Sequence, residues 1–161
     1  MSRRYRSCLP TAPALAALAL SGAIATTPAL ADEKAFSWTH DDPELEWMDC
    51  PPFMPEGCGL AVLQGYPAEY NADVFFRLPA GTIAPRHWHT SAERMVLIAG
   101  ELHIGYDDQD PVIMEPGTYA YGPAELPHDA SCVSDEDCVL FIAFEEPVDA
   151  NPLENPFLAT D

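Results

Sequence analysis

The stretch from Gly81 to Gly100, GTIAPRHWHTSAERMVLIAG, constrains the fold more than any other part of the chain. It places Gly81, His87, His89, Glu93 and Gly100 in the pattern G-x5-H-x-H-x3-E-x6-G. Successive side chains on a strand point to opposite faces, so His87 and His89 share one face and Trp88 takes the other. A short turn through Thr90, Ser91 and Ala92 returns the chain and brings the Glu93 carboxylate to the imidazole face. Burying such groups without partners costs roughly 1–3 kcal/mol for each unsatisfied group, so they need a common partner. Neutral imidazoles and a carboxylate are ligands for Zn, Mn, Fe, Ni or Cu. The bracketing glycines mark turns that require positive backbone angles.

Two histidines and one glutamate on a single hairpin approach an ion from few directions, so a fourth ligand is expected from elsewhere. Gly117 to His128 reads GTYAYGPAELPH, the pattern G-x5-P-x-E-x2-H. Together the two stretches resemble the paired motifs of the cupin superfamily. Glu125 stands where that family's second motif usually has glycine, and Cys132 where it usually has asparagine. The resemblance covers roughly Gly59 to Glu146. It implies an all-β fold, the cupin-type antiparallel β-barrel (double-stranded β-helix or jelly roll), with one divalent metal held by His87, His89, Glu93 and His128. Zn, Mn, Fe and Cu are the expected ions, with Ni behind them. Within the superfamily the chain is similar to small single-domain proteins of unassigned activity and to the zinc cupin of some anti-sigma factors. His40 and His103 meet no spacing rule and are expected to be exposed or locally satisfied.

The first residues read as an export signal rather than as part of the fold. Arg3, Arg4 and Arg6 form a basic segment, Pro13 to Ala25 an apolar run, and Ala29-Leu30-Ala31 a small-residue cleavage site. The apolar run is shorter than the roughly 20 residues a membrane span needs. Cleavage after Ala31 and a periplasmic or secreted location are expected, by a general or twin-arginine route. Removing residues 1–31 leaves 4 basic against 26 acidic residues, a net charge of 4 − 26 = −22. Such a polyanion argues against nucleic acid and anionic membranes as partners. In an oxidising compartment the four remaining cysteines are expected to pair locally, Cys50 with Cys58 and Cys132 with Cys138. The competing reading of Cys132 is a thiol near the metal, since it follows His128 by four residues.

Residues 32–58 read as an arm that packs on the barrel through Phe36, Trp38, Trp47 and Phe53, residues 59–146 as the barrel, and residues 147–161 as a tail. Short apolar runs predict strands at Leu60 to Gln64, Asp73 to Leu78, Ala84 to His89, Arg94 to Ala99, Glu101 to Tyr106, Val112 to Glu115, Thr118 to Tyr121, His128 to Val133 and Cys138 to Phe144. No window has a helical period. One copy of each motif gives a single barrel, and an unprotected edge strand predicts a homodimer.

Three histidines and a glutamate leave a coordination position open on an octahedral ion, the requirement for metal-assisted catalysis. Phe76, Met95, Leu97, Tyr119, Tyr121 and Phe141 are the expected pocket lining around a small organic ligand. Tyr119 or Tyr121 could serve as a proton donor and Arg77 or Arg94 could pair with a substrate carboxylate, but barrel packing or surface charge is the commoner role of such residues, and no catalytic residue is assigned. The expected function is that of a metal-dependent enzyme: a dioxygenase, isomerase or lyase. The alternatives are a non-catalytic binding or sensor protein and a cupin whose metal only staples the barrel.

Overall fold

The computed structural model describes residues 34–153; the sequence-predicted signal at 1–31 lies outside them, as does the end of the tail. The first strands are β1 (Trp47–Asp49), β2 (Gly59–Gln64), β3 (Ala72–Leu78), β4 (Ile83–Trp88), β5 (Glu93–Ala99) and β6 (Leu102–Tyr106). There follow β7 (Val112–Met114), β8 (Tyr119–Gly122), β9 (His128–Cys132), β10 (Cys138–Phe144) and β11 (Asn151–Pro152). All pairings are antiparallel. One sheet has the order β1-β2-β3-β10-β5-β8 and the other β11-β4-β9-β6-β7, the double-sheet arrangement of a jelly roll. Among the described residues there is no helix, and so none long and apolar enough to cross a membrane.

Alternation along the strands builds the interior. In β5, Glu93, Met95 and Leu97 are buried while Arg94, Val96 and Ile98 lie half-exposed on the other face. In β10, Leu140, Ile142 and Phe144 join the main core. Val139 and Phe141 instead form a second cluster on the outer face with Ala61 and Phe75. Trp38, Leu45 and Trp47 of the arm pack on that outer cluster, which explains an aromatic-rich segment with a single short strand.

Two irregularities set the position of the histidines. The pairing of β4 with β9 shifts between Ala84 and His87, with Ala84 opposite Ala130 and His87 opposite His128. This bulge leaves Pro85 and Arg86 both outward and restores His87 to the inner face. The bracketing glycines take the angles expected of them, with φ of 68° at Gly81 and 81° at Gly100. Gly100 also permits a close approach: a Cβ there would lie 2.8 Å from Cys138 Sγ and 2.9 Å from its Cα.

The four cysteines form two pairs at disulfide distance, Cys50 with Cys58 (Cα–Cα 5.6 Å) and Cys132 with Cys138 (5.7 Å). Cys132 is therefore a partner of Cys138 and not a thiol at the histidines; it sits at the opposite end of β9 from His128.

Candidate metal centre

His87 at the end of β4, His89 just beyond it, Glu93 at the start of β5 and His128 at the start of β9 converge inside the barrel. All four are buried. One ring nitrogen from each of the three histidines lies within 4.8 Å of the others. Glu93 closes the group, with Oε1 3.4 Å from His89 Nε2 and Oε2 3.5 Å from His128 Nε2.

The tautomers are fixed by the backbone. His87 Nδ1 donates to the Pro85 carbonyl at 2.7 Å, His128 Nδ1 to the Leu126 carbonyl at 3.1 Å, and His89 Nδ1 to the Asp149 carbonyl. A carbonyl only accepts, so each Nδ1 carries a proton, and in a neutral ring Nε2 is then the atom whose lone pair is left for an ion. Burial, reinforced by the neighbouring His128 and His89, pulls the His87 imidazole down to about 3. Burial also pulls His128 below the usual imidazole range, against the opposing pull of Glu93. Neutral His87 and His128 rings beside a buried carboxylate fit a divalent cation.

The turn between His89 and Glu93 is held by groups far away in sequence. Ser91 Oγ accepts from the amides of Glu145 and Glu146 at 3.1 and 3.2 Å and donates to the Ala92 carbonyl at 2.8 Å. The amide and hydroxyl of Thr90 both donate to the Asp149 carboxylate. Burial would raise the Asp149 carboxyl, but hydrogen bonds from Thr90 and Asn151 outweigh it and hold the group low. Residue 149 thus clamps the first motif through its carbonyl and its side chain. Beyond it, β11 pairs with β4, with Asn151 opposite Trp88 and Pro152 opposite His87. The Glu125 amide donates to the His89 carbonyl at 2.8 Å and so ties the second motif to the first. Glu125 holds φ of 60°, a left-handed angle that glycine adopts without strain.

The four side chains line a cavity of about 260 Å³. Phe76 and Met95 line it as expected from the sequence, and Leu140, Ile142 and Phe144 complete that wall. Leu97 is buried in the core and is not among the lining residues. Tyr119 and Tyr121 are 60% and 56% exposed, because β8 turns Ala120 and Gly122 inward, and Phe141 faces the outer cluster. Neither tyrosine is a proton donor to this cavity. Arg94 pairs with Glu145, and Arg77 lies 4.4 Å over the Trp47 ring, so neither expected carboxylate partner reaches the cavity. His103 is satisfied by Glu101 at 2.9 Å, and His40 lies apart from the cluster.

Tyr106 gives no signal in the sequence. It is buried, its ring centroid is 5.3 Å from that of His128, and its hydroxyl has no hydrogen-bond partner. Burial, then the Glu93 carboxylate, raises its phenol. A Cβ at Gly122 would meet Tyr106 Oη at 3.0 Å and Glu93 Oε2 at 3.1 Å, so glycine there leaves room for both groups.

Residues 74–144 match the family model described as a cupin domain. No curated protein matches the chain in sequence. Among solved structures it is similar to one of DMSP lyases RdDddP and RnDddQII (TM-score 0.61, 16% identity, 70% of this chain and 64% of that one). It is also similar to the polyketide cyclase RemF from Streptomyces resistomycificus (TM-score 0.61, 14% identity, 74% of this chain and 87% of that one). A third is Rru_A2000 from Rhodospirillum rubrum, a cupin-2 domain (TM-score 0.60, 15% identity, 79% and 87% covered). The chain thus spans less than two thirds of the lyase chain it matches, and identities this low speak for the fold alone. By that match residues 74–144 form a cupin domain, and within it lies a three-histidine group able to hold a metal ion.

Proposed function

We propose that the protein is a metal-dependent cupin enzyme acting on a small organic molecule inside the barrel, with His87, His89, Glu93 and His128 as the ligands of one divalent ion. The observation that carries this reading is the shared arrangement of the imidazoles. All three Nδ1 atoms are engaged by backbone carbonyls, which leaves the Nε2 atoms and the Glu93 carboxylate for an ion at the wall of a cavity. Four protein ligands on a six-coordinate ion leave positions for substrate, water or dioxygen. When bound, the ion would supply Lewis acidity or an activated oxygen ligand. The chain's own residues orient the ligands and keep the His87 and His128 rings neutral.

Apart from the four ligands, Asp49 and Asp149 are the only ionisable side chains in the lining among the described residues. Chemistry would therefore centre on the ion, as in a dioxygenase or a metal-assisted lyase or isomerase. The same scarcity favours a second reading, a non-catalytic protein that binds a small molecule through its metal. Turnover separates the two. Metal-loaded protein is screened for oxygen uptake and product formation against small organic substrates, beside His128→Ala. The enzyme reading expects turnover that His128→Ala abolishes; saturable binding with no turnover favours the second.

Export to the periplasm or the exterior belongs to this proposal, supported by the sequence of residues 1–31 and by the two cysteine pairs. So does a homodimer, for which the edge position of β8 and its exposed tyrosines are the support. A sedimentation mass of one mature chain at micromolar concentration would refute the dimer.

A further inference from the structure

We propose that the part of the ligand held by the walls of this cavity is uncharged or cationic, and that the cavity rejects any anionic group which needs a protein partner. The inference rests on the reading of the cavity as the ligand site, and its support is the placement of every cation in the described chain. Those cations are four: Lys34, Arg77, Arg86 and Arg94. Arg77 covers Trp47 on the outer face of its sheet. Arg94 is paired with Glu145. Arg86 is paired with Asp107 and lies 3.7 Å from Asp129. Lys34 is exposed at the first described residue. None of the three arginines lines the cavity.

The walls offer an anion little. Phe76, Met95, Leu140 and Phe144 on one side and Ile104 and Ala130 on the other are apolar. An anionic group among such residues, without a paired cation, costs several kcal/mol in desolvation. Arginine forks, the usual answer to a carboxylate, are absent from the lining. Glu93 already offsets one charge of a divalent ion, so the site could neutralise one anionic group directly on the ion and no second one. The arm and tail segments that complete the lining bring further negative charge, through exposed Asp49 and half-buried Asp149. By contrast, Phe76 and Phe144 bring aromatic rings to the lining, and Met54 and Met95 polarisable sulfur, which suit an uncharged apolar body or a soft organic cation.

The test uses three probes of one branched carbon skeleton: choline, 3,3-dimethyl-1-butanol and 2,2-dimethylsuccinate, which are cationic, uncharged and dianionic, so that one carboxylate of the last is left for the walls. Their binding to metal-loaded protein at low salt is measured by calorimetry, with metal content determined on the same samples. Choline and the alcohol are expected to bind, with the dicarboxylate at least tenfold weaker than the alcohol. Asp49→Asn should weaken choline by about two- to fivefold, the scale of an exposed charge, and leave the alcohol unchanged. Dicarboxylate binding equal to that of the alcohol overturns the proposal, as does binding of none of the three at millimolar concentrations. Protein that takes up no metal yet ranks the probes as expected would sink the metal reading and leave this one standing.

Discussion

The two ends of the same strands are built on opposite principles. β9 begins at His128 and ends at Cys132; β10 begins at Cys138 and ends at Phe144, beside the His89 ring. Four residues of strand, about 13 Å, separate a polar group from a covalent staple. At the staple end Leu78, Leu102 and Met114 are fully buried, Cys132 is paired with Cys138, and Gly100 lets the chain pass against Cys138. At the other end three imidazoles and a carboxylate are buried around a cavity. One end is closed by packing, and the other holds polar groups whose burial is costly. The difference teaches that the barrel tolerates an expensive site because its far end is stapled and dense.

The largest effect should come from breaking the dense end. Gly100→Ala combines a left-handed backbone angle with overpacking against Cys138, and should destabilise by about 2–5 kcal/mol in denaturant titration. Gly81→Ala shares the positive angle, but a Cβ there meets nothing within 4 Å. It should cost only about 1–2 kcal/mol. Equal losses in the two variants would deny the close approach at Gly100 its role.

A smaller, pH-dependent effect belongs to the site end. His87 titrates near 3 in the folded chain, against about 6.5 when unfolded. Between these values the unfolded chain binds more protons, so stability rises with pH across the window and is lost as pH falls. Metal-free protein should lose up to about 1.4 kcal/mol per pH unit from this imidazole between pH 6 and 4. A flat stability profile over that range would mean that His87 is not buried as a neutral ring. The smallest effect should be that of Tyr106→Phe. Because the hydroxyl has no partner, its removal should leave thermal stability of the metal-free protein within about 1 kcal/mol of wild type, or raise it.

The sequence made the site-bearing spacing legible because His87, His89 and Glu93 depend on local geometry, a strand and a short turn. Strand positions and the local cysteine pairs follow from apolar runs and proximity in the same way. Facing was harder to read where it depends on non-local register. A shift of one residue inverts every side chain of a strand, so the sequence alone allows Tyr119, Tyr121 and Phe141 to face inward, while the pairing of β8 and β10 with β5 turns them out. Asp149 lies 60 residues from the His89 it orients, and nothing in its local sequence signals that contact. Tyr106 looks like any core aromatic until its hydroxyl is found without a partner beside the cluster.

The measurement that tests the central claim most directly is elemental analysis of the mature protein purified from its native compartment, beside His87→Ala. The account predicts close to one divalent ion per chain in the wild type and loss of that ion in the variant, with the variant still folded by circular dichroism. No metal in the wild type, or the same metal content in both proteins, would contradict it.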